Sequence, residues 1–103
     1  MIMKITKEQI KIELSEIKTY YLMKKTFDKK VREFEETFEL LNKYLKVIKQ
    51  APTKIKGYFI ERYENGANAP QIAEKWGMSV SYVSKLKKEF FKFLYDYFNK
   101  EES

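Results

Sequence analysis

Along the first half of the chain, apolar residues recur at steps of three and four, the period of one face of an α-helix. From residue 7 to residue 50 no glycine or proline interrupts a segment rich in Glu, Lys, Leu and Ile, so the segment reads as helix. Thr6 followed by Gln9 has the spacing of a capping box, which starts the helix at Lys7. Ile10, Leu14, Ile17 and Tyr21 make a first apolar stripe. Phe27, Val31, Phe34, Phe38, Leu41, Leu45 and Ile48 then step by 4, 3, 4, 3, 4 and 3, a heptad seam suited to pairing two copies of the chain. The phase slips between Tyr21 and Phe27, so a bend or a change of packing partner is expected at residues 23–26.

The three glycines and two prolines all lie between Pro52 and Gly77. Ala51-Pro52-Thr53 ends the first segment, and Thr53 is expected to cap a helix over residues 54–63 with Ile55, Phe59 and Ile60 inward. Asn65-Gly66 turns the chain. A short helix over residues 69–76 carries Pro70 in its first turn and stops at Gly77, a position suited to a left-handed residue. Ser79 caps a last helix that runs through Val83, Leu86, Phe90, Leu94 and Tyr97 to about residue 100. The expected fold is therefore all-α: a long N-terminal helix over residues 1–51, for packing or oligomerisation, followed by a three-helix unit over residues 52–103.

The segment from Ala69 to Lys88 fits a helix-turn-helix for steric reasons. Ala73 is small where a second helix crosses, and Gly77 permits the sharp turn. Ile72, Trp76, Met78, Val83 and Leu86 are expected in the wedge between the helices. At 100° per residue, Val80, Ser81, Ser84, Lys85 and Lys88 share the face opposite Val83, Leu86 and Phe90. That face is small and hydroxylated at its start and basic further on, as suits a helix whose side chains read base edges in a major groove. Gln71, Lys75, Ser79, Tyr82, Lys87 and Lys92 are the expected phosphate contacts.

The 103 residues hold 21 Lys and Arg against 15 Asp and Glu, a net charge of +6 that favours an acidic partner once it is placed on such a face. With 44% hydrophobic residues, eight Phe and eight Tyr, the chain can build a core. It has no cysteine and no histidine, so thiolate nucleophiles, imidazole bases and the usual zinc sites are excluded. No carboxylate pair, nucleophile or phosphate loop stands in a catalytic arrangement, and neither an enzyme, a cofactor, a metal nor a small-molecule substrate is expected. The first residues lack the apolar core of a signal peptide, and no membrane span is evident, which leads to a cytoplasmic expectation. Lys24, Lys25, Lys29, Lys30 and Arg32 read as a solvated helix face, balanced by Asp28, Glu33, Glu35 and Glu36. Phe90, Phe91, Phe93, Tyr95, Tyr97 and Phe98 exceed one apolar stripe, so some must meet a second surface, either the N-terminal helix of the same chain or another copy.

Arg62-Tyr63-Glu64-Asn65-Gly66, then Gln71-Ile72-Ala73-Glu74-Lys75-Trp76-Gly77-Met78-Ser79 and Val83, resemble region 4 of bacterial sigma factors over residues 52–95. With a long helix in front and no other sigma region, the whole chain resembles small phage and prophage transcription regulators of the ArpU and RinA type. The resemblance implies sequence-specific binding of double-stranded DNA by the helix over residues 80–98, and it brings in RNA polymerase as a further partner. Tyr82, Ser84 and Lys85 stand where sigma factors carry an arginine-rich recognition helix, a departure that weakens any inference to promoter reading. A homodimer through the heptad seam is expected, because one recognition helix rarely supplies enough affinity. The competing expectations are a DNA-packaging assembly protein of the small-terminase kind and a protein-binding adaptor or anti-repressor.

Overall fold

The computed structural model describes residues 5–26 and 35–100. Its helices are α1 (Lys7–Thr26), α2 (Glu35–Lys49), α3 (Thr53–Phe59), α4 (Ala69–Trp76) and α5 (Val80–Phe98), with no strand among the described residues. The fold is all-α and begins with a long helix, in line with the periodicity. No helix among the described residues is long and apolar enough to cross a membrane.

α1 begins where the sequence indicates. The Thr6 hydroxyl accepts a hydrogen bond from the Gln9 amide at 3.0 Å. Only this half of the expected box forms, because the Gln9 side chain donates to Glu13 at 3.2 Å instead of turning back. Ile10, Leu14 and Ile17 are fully buried along one line of the helix.

α1 and α2 are two helices that lie antiparallel, where the unbroken composition suggests one. Tyr44 donates to Glu13 at 2.7 Å, and the Tyr20 and Phe38 rings stand 6.3 Å apart, so rising positions on one helix meet falling positions on the other. The reversal changes the fate of the heptad seam. Phe27, Val31 and Phe34 lie outside the described residues, as do Asp28, Lys29, Lys30, Arg32 and Glu33 of the charged stretch. Leu41 and Ile48 are buried in the chain's own core, whereas Phe38 and Leu45 are exposed. Tyr44 and Val47, off the expected seam, are buried with Leu41 and Ile48. The inward line is therefore rotated about the helix axis from the seam, because α1 covers that side and the Tyr44 hydroxyl finds an acceptor there.

α3 opens after Pro52, whose carbonyl accepts from the Ile55 and Lys56 amides at 3.0 Å. Thr53 is its first helical residue and makes no side-chain cap, contrary to expectation. The helix then widens into a π turn over Ile60–Glu64, closed by the Asn65 amide on the Ile60 carbonyl at 2.8 Å. Ile55, Tyr58, Phe59 and Tyr63 are buried, while Ile60, expected inward, is exposed at the start of the wider turn.

α5 is the central strut. Val83, Leu86, Phe90 and Leu94 are fully buried and share one core with residues of α1, α2, α3 and α4, so the core runs across residue 52. Phe90 sits 5.1 Å from the Tyr58 ring and 5.7 Å from Tyr63, in the offset geometries aromatic rings prefer. The aromatic excess of α5 is met within the chain in part: Phe90 is buried and Phe91, Phe93 and Phe98 are partly buried against the same core, while Tyr95 and Tyr97 stay exposed. Phe98 packs edge-on against Tyr44 at 5.1 Å, and Asn99 exchanges hydrogen bonds with the Ile5 backbone at 3.0 and 2.9 Å. Burial raises the pKa of Tyr44 and Tyr63, and burial with the neighbouring Glu64 carboxylate pushes that of Tyr21 up to about 12.

Candidate nucleic-acid interface

α4 is held at both ends by local chemistry. Asn68 accepts from the Gln71 amide at 2.9 Å, and the Gln71 side chain accepts from the Asn68 amide at 2.8 Å, a complete capping box. The Asn68-x-x-Gln71 spacing is its signal in the sequence, alongside Pro70 in the first turn. The box commits the Gln71 amide oxygen, so only its NH₂ group remains for the phosphate contact expected there.

At the other end Gly77 is left-handed, with φ 66° and ψ 34°. The Met78 amide bonds to the Ala73 carbonyl at 2.8 Å and the Gly77 amide to Glu74 at 3.2 Å, the paired bonds of a Schellman motif. The chain turns through Gly77, Met78 and Ser79 and enters α5, where the Ser79 hydroxyl accepts from the Tyr82 amide at 3.0 Å.

The wedge between these helices contains Ile72, Ala73, Val83 and Leu86, each nearly or completely buried. Trp76 is half-buried and covers Gly57 of α3, where an added methyl would stand 3.4 Å from the indole. Met78 does not join the wedge: it is 49% exposed, because the left-handed turn uses its amide to close α4 and directs its side chain outward.

Val80, Ser81, Ser84, Lys85 and Lys88 are all exposed on α5, on the side away from Val83, Leu86 and Phe90. Tyr82 lies on one flank of that face and Lys87 on the other, with Lys92 one turn beyond Lys88.

Ion pairing divides the cations into two sets. Lys75 pairs with Glu61 at 2.7 Å, Lys92 with Asp96 at 2.7 Å, and Lys54 with Glu89 at 2.8 Å. The hydrogen bond from Lys75, aided by one from Asn65, holds the Glu61 carboxyl below the usual carboxylate range. The hydrogen bond from Lys54 does the same for Glu89, with the Lys85 charge contributing. Among the described residues Lys85, Lys87 and Lys88 form no ion pair, although the Lys85 charge acts on Glu89 from further off, so α5 presents three lysines without a bonded acid beside its small polar residues. Of the lysines expected on phosphate, Lys87 alone is unpaired; Lys92 must exchange the exposed Asp96 for a new partner, a modest cost, whereas release of Lys75 would leave the largely buried Glu61 carboxylate without its cation.

Comparison with models of known protein families, with curated proteins and with solved structures gives no match.

Proposed function

We propose that the protein binds double-stranded DNA sequence-specifically, with α5 in the major groove, as a small transcription regulator. One observation carries this reading: unpaired Lys85 and Lys88 share an exposed face with Ser81 and Ser84 on a helix whose opposite side anchors the core. Rigid support matters, because base-edge hydrogen bonds require side chains presented at fixed spacing. The resemblance to sigma-factor region 4 and to phage and prophage regulators agrees with it, as does the net charge of +6. A cytoplasmic setting and contact with RNA polymerase belong to the same proposal.

A homodimer is part of the reading. Leu41 and Ile48 are spent inside the chain, but Phe38 and Leu45, seven residues apart on α2, keep apolar surface outside. Two recognition helices would then meet half-sites about 34 Å apart or a multiple of that.

The test compares Lys85→Ala with Lys92→Ala on preferred and random duplexes. Lys85→Ala is expected to weaken the preferred site about tenfold or more while leaving random DNA nearly unchanged, as loss of a base contact does. Lys92→Ala is expected to weaken both alike and to flatten the salt dependence by at most about one unit. Equal loss at every sequence after Lys85→Ala would contradict base reading.

A further inference from the structure

On the Lys87 flank of α5, a cleft of about 340 Å³ opens between α5, α1 and the π turn. Lys11 and Lys18 of α1, Arg62 of the π turn and Lys87 bring four positive charges to its walls. Ser15 adds a hydroxyl between the two α1 lysines, and no carboxylate lines the cleft among the described residues. Lys11, Lys18 and Lys87 have no ion pair among the described residues, in contrast to Lys43, Lys54, Lys75 and Lys92. Arg62 is held in place, its guanidinium 5.6 Å from the Tyr63 ring and its Nη1 donating to the Ala67 carbonyl at 3.5 Å. Like charges gathered without an acid repel one another, and an anion in the cleft relieves that repulsion.

The position of the cleft selects the anion. α1 runs antiparallel to α5, with Ile5 bonded to Asn99 and Lys7 over the Tyr95 ring at 5.7 Å. The α1 lysines therefore follow the flank of α5 from its C-terminal end toward the end that carries Ser81 and Ser84. A helix with its side chains is about 10–12 Å across, and the major groove is about 12 Å wide. A helix lying in the groove thus has a sugar-phosphate wall against each flank.

We propose that this cleft docks the sugar-phosphate backbone of duplex DNA, so that α1 clamps one wall of the groove α5 occupies. The inference rests on the DNA-binding reading above and adds to it a second, sequence-independent surface on the N-terminal helix. Lys11, Lys18, Arg62 and Lys87 supply the charge-assisted donors, and Ser15 supplies a neutral one.

The experiment measures duplex affinity against salt concentration by fluorescence anisotropy for three forms of the full chain. These are the unaltered protein, Lys11→Gln with Lys18→Gln, and Lys46→Gln with Lys49→Gln, which removes equal charge from α2 outside the cleft. Glutamine removes the charge while keeping the first methylenes of the stem and a polar end, and thermal melts followed by circular dichroism establish that each variant folds. The cleft variant is expected to lose about two units of salt slope and about tenfold or more in affinity, equally for preferred and random duplexes. The α2 variant is expected to lose less than half as much. If the cleft variant tracks the α2 variant while duplex binding persists, the cleft inference is overturned and the groove reading by α5 stands. If the unaltered protein binds no duplex at low salt, both fall together.

Discussion

Replacing Gly77 and Gly57 separately by alanine should move stability in opposite directions. At Gly77 an added methyl meets nothing within 4 Å, so sterics outside the residue cost nothing. The backbone cost remains, because φ of 66° lies in the left-handed region, unfavourable by about 1–2 kcal/mol for a residue with a Cβ. The smaller entropy of the unfolded alanine chain offsets about 0.4–1 kcal/mol of that, leaving a net loss of about 1 kcal/mol. Gly57 is inside α3, and its added methyl would rest 3.4 and 3.6 Å from two indole carbons of Trp76, which is ordinary contact. Alanine is favoured over glycine in a helix interior by about 1 kcal/mol, so Gly57→Ala should stabilise by about that amount. Each kcal/mol shifts the melting temperature of a domain this size by about 4–8 °C, so the two variants should melt on either side of the parent and about 10 °C apart. Thermal melts followed at 222 nm, repeated in urea, read this directly. Gly77→Ala melting with the parent would refute the left-handed turn, and Gly57→Ala melting well below it would refute the clearance under Trp76.

Three further outcomes are expected. Phe90→Ala should cost about 3–5 kcal/mol in urea titrations, because its fully buried ring joins Tyr58, Phe59 and Tyr63; a loss under about 1 kcal/mol would contradict that core. Ser79→Ala should cost about 1 kcal/mol through loss of the α5 cap, and Ser79→Asp should restore most of it, whereas equal stability of all three would contradict the cap. Burial raises the pKa of Tyr21, Tyr44, Tyr58 and Tyr63 above the ordinary tyrosine value of 10.0, so above that pH the unfolded chain binds fewer protons than the folded one. Stability should therefore hold up to about pH 10 and fall as pH rises beyond it, with Tyr44→Phe softening the fall; a urea midpoint that stays flat to about pH 11 would contradict the burial.

The capped segment from α4 into α5 was legible because local chemistry specifies it. Gly77 is suited to a left-handed position, Ser79 to a cap, and the spacing of Val83, Leu86 and Phe90 sets the buried face whatever lies against it. The reversal between α1 and α2 was not legible, since no glycine or proline marks it and Leu41 and Ile48 suit a seam between chains or a core within one. Which cations are unpaired depends on neighbours distant in sequence, such as Glu61 for Lys75 and Glu89 for Lys54. The basic cleft has the same origin: Lys11, Ser15 and Lys18 follow one another at helical spacing, but nothing in the sequence shows that this row meets Arg62 and Lys87. Met78 was misplaced because its apolar character suggested burial, whereas the Schellman turn requires only its amide.

Groove reading by α5 is tested most directly by selecting bound sites from a random duplex pool with the unaltered protein, alongside its solution mass. The expected result is one enriched sequence, present twice at a spacing of about 34 Å or a multiple of it, together with the mass of a dimer. Recovery of a pool no different from the input, or no duplex retained even at low salt, would contradict it.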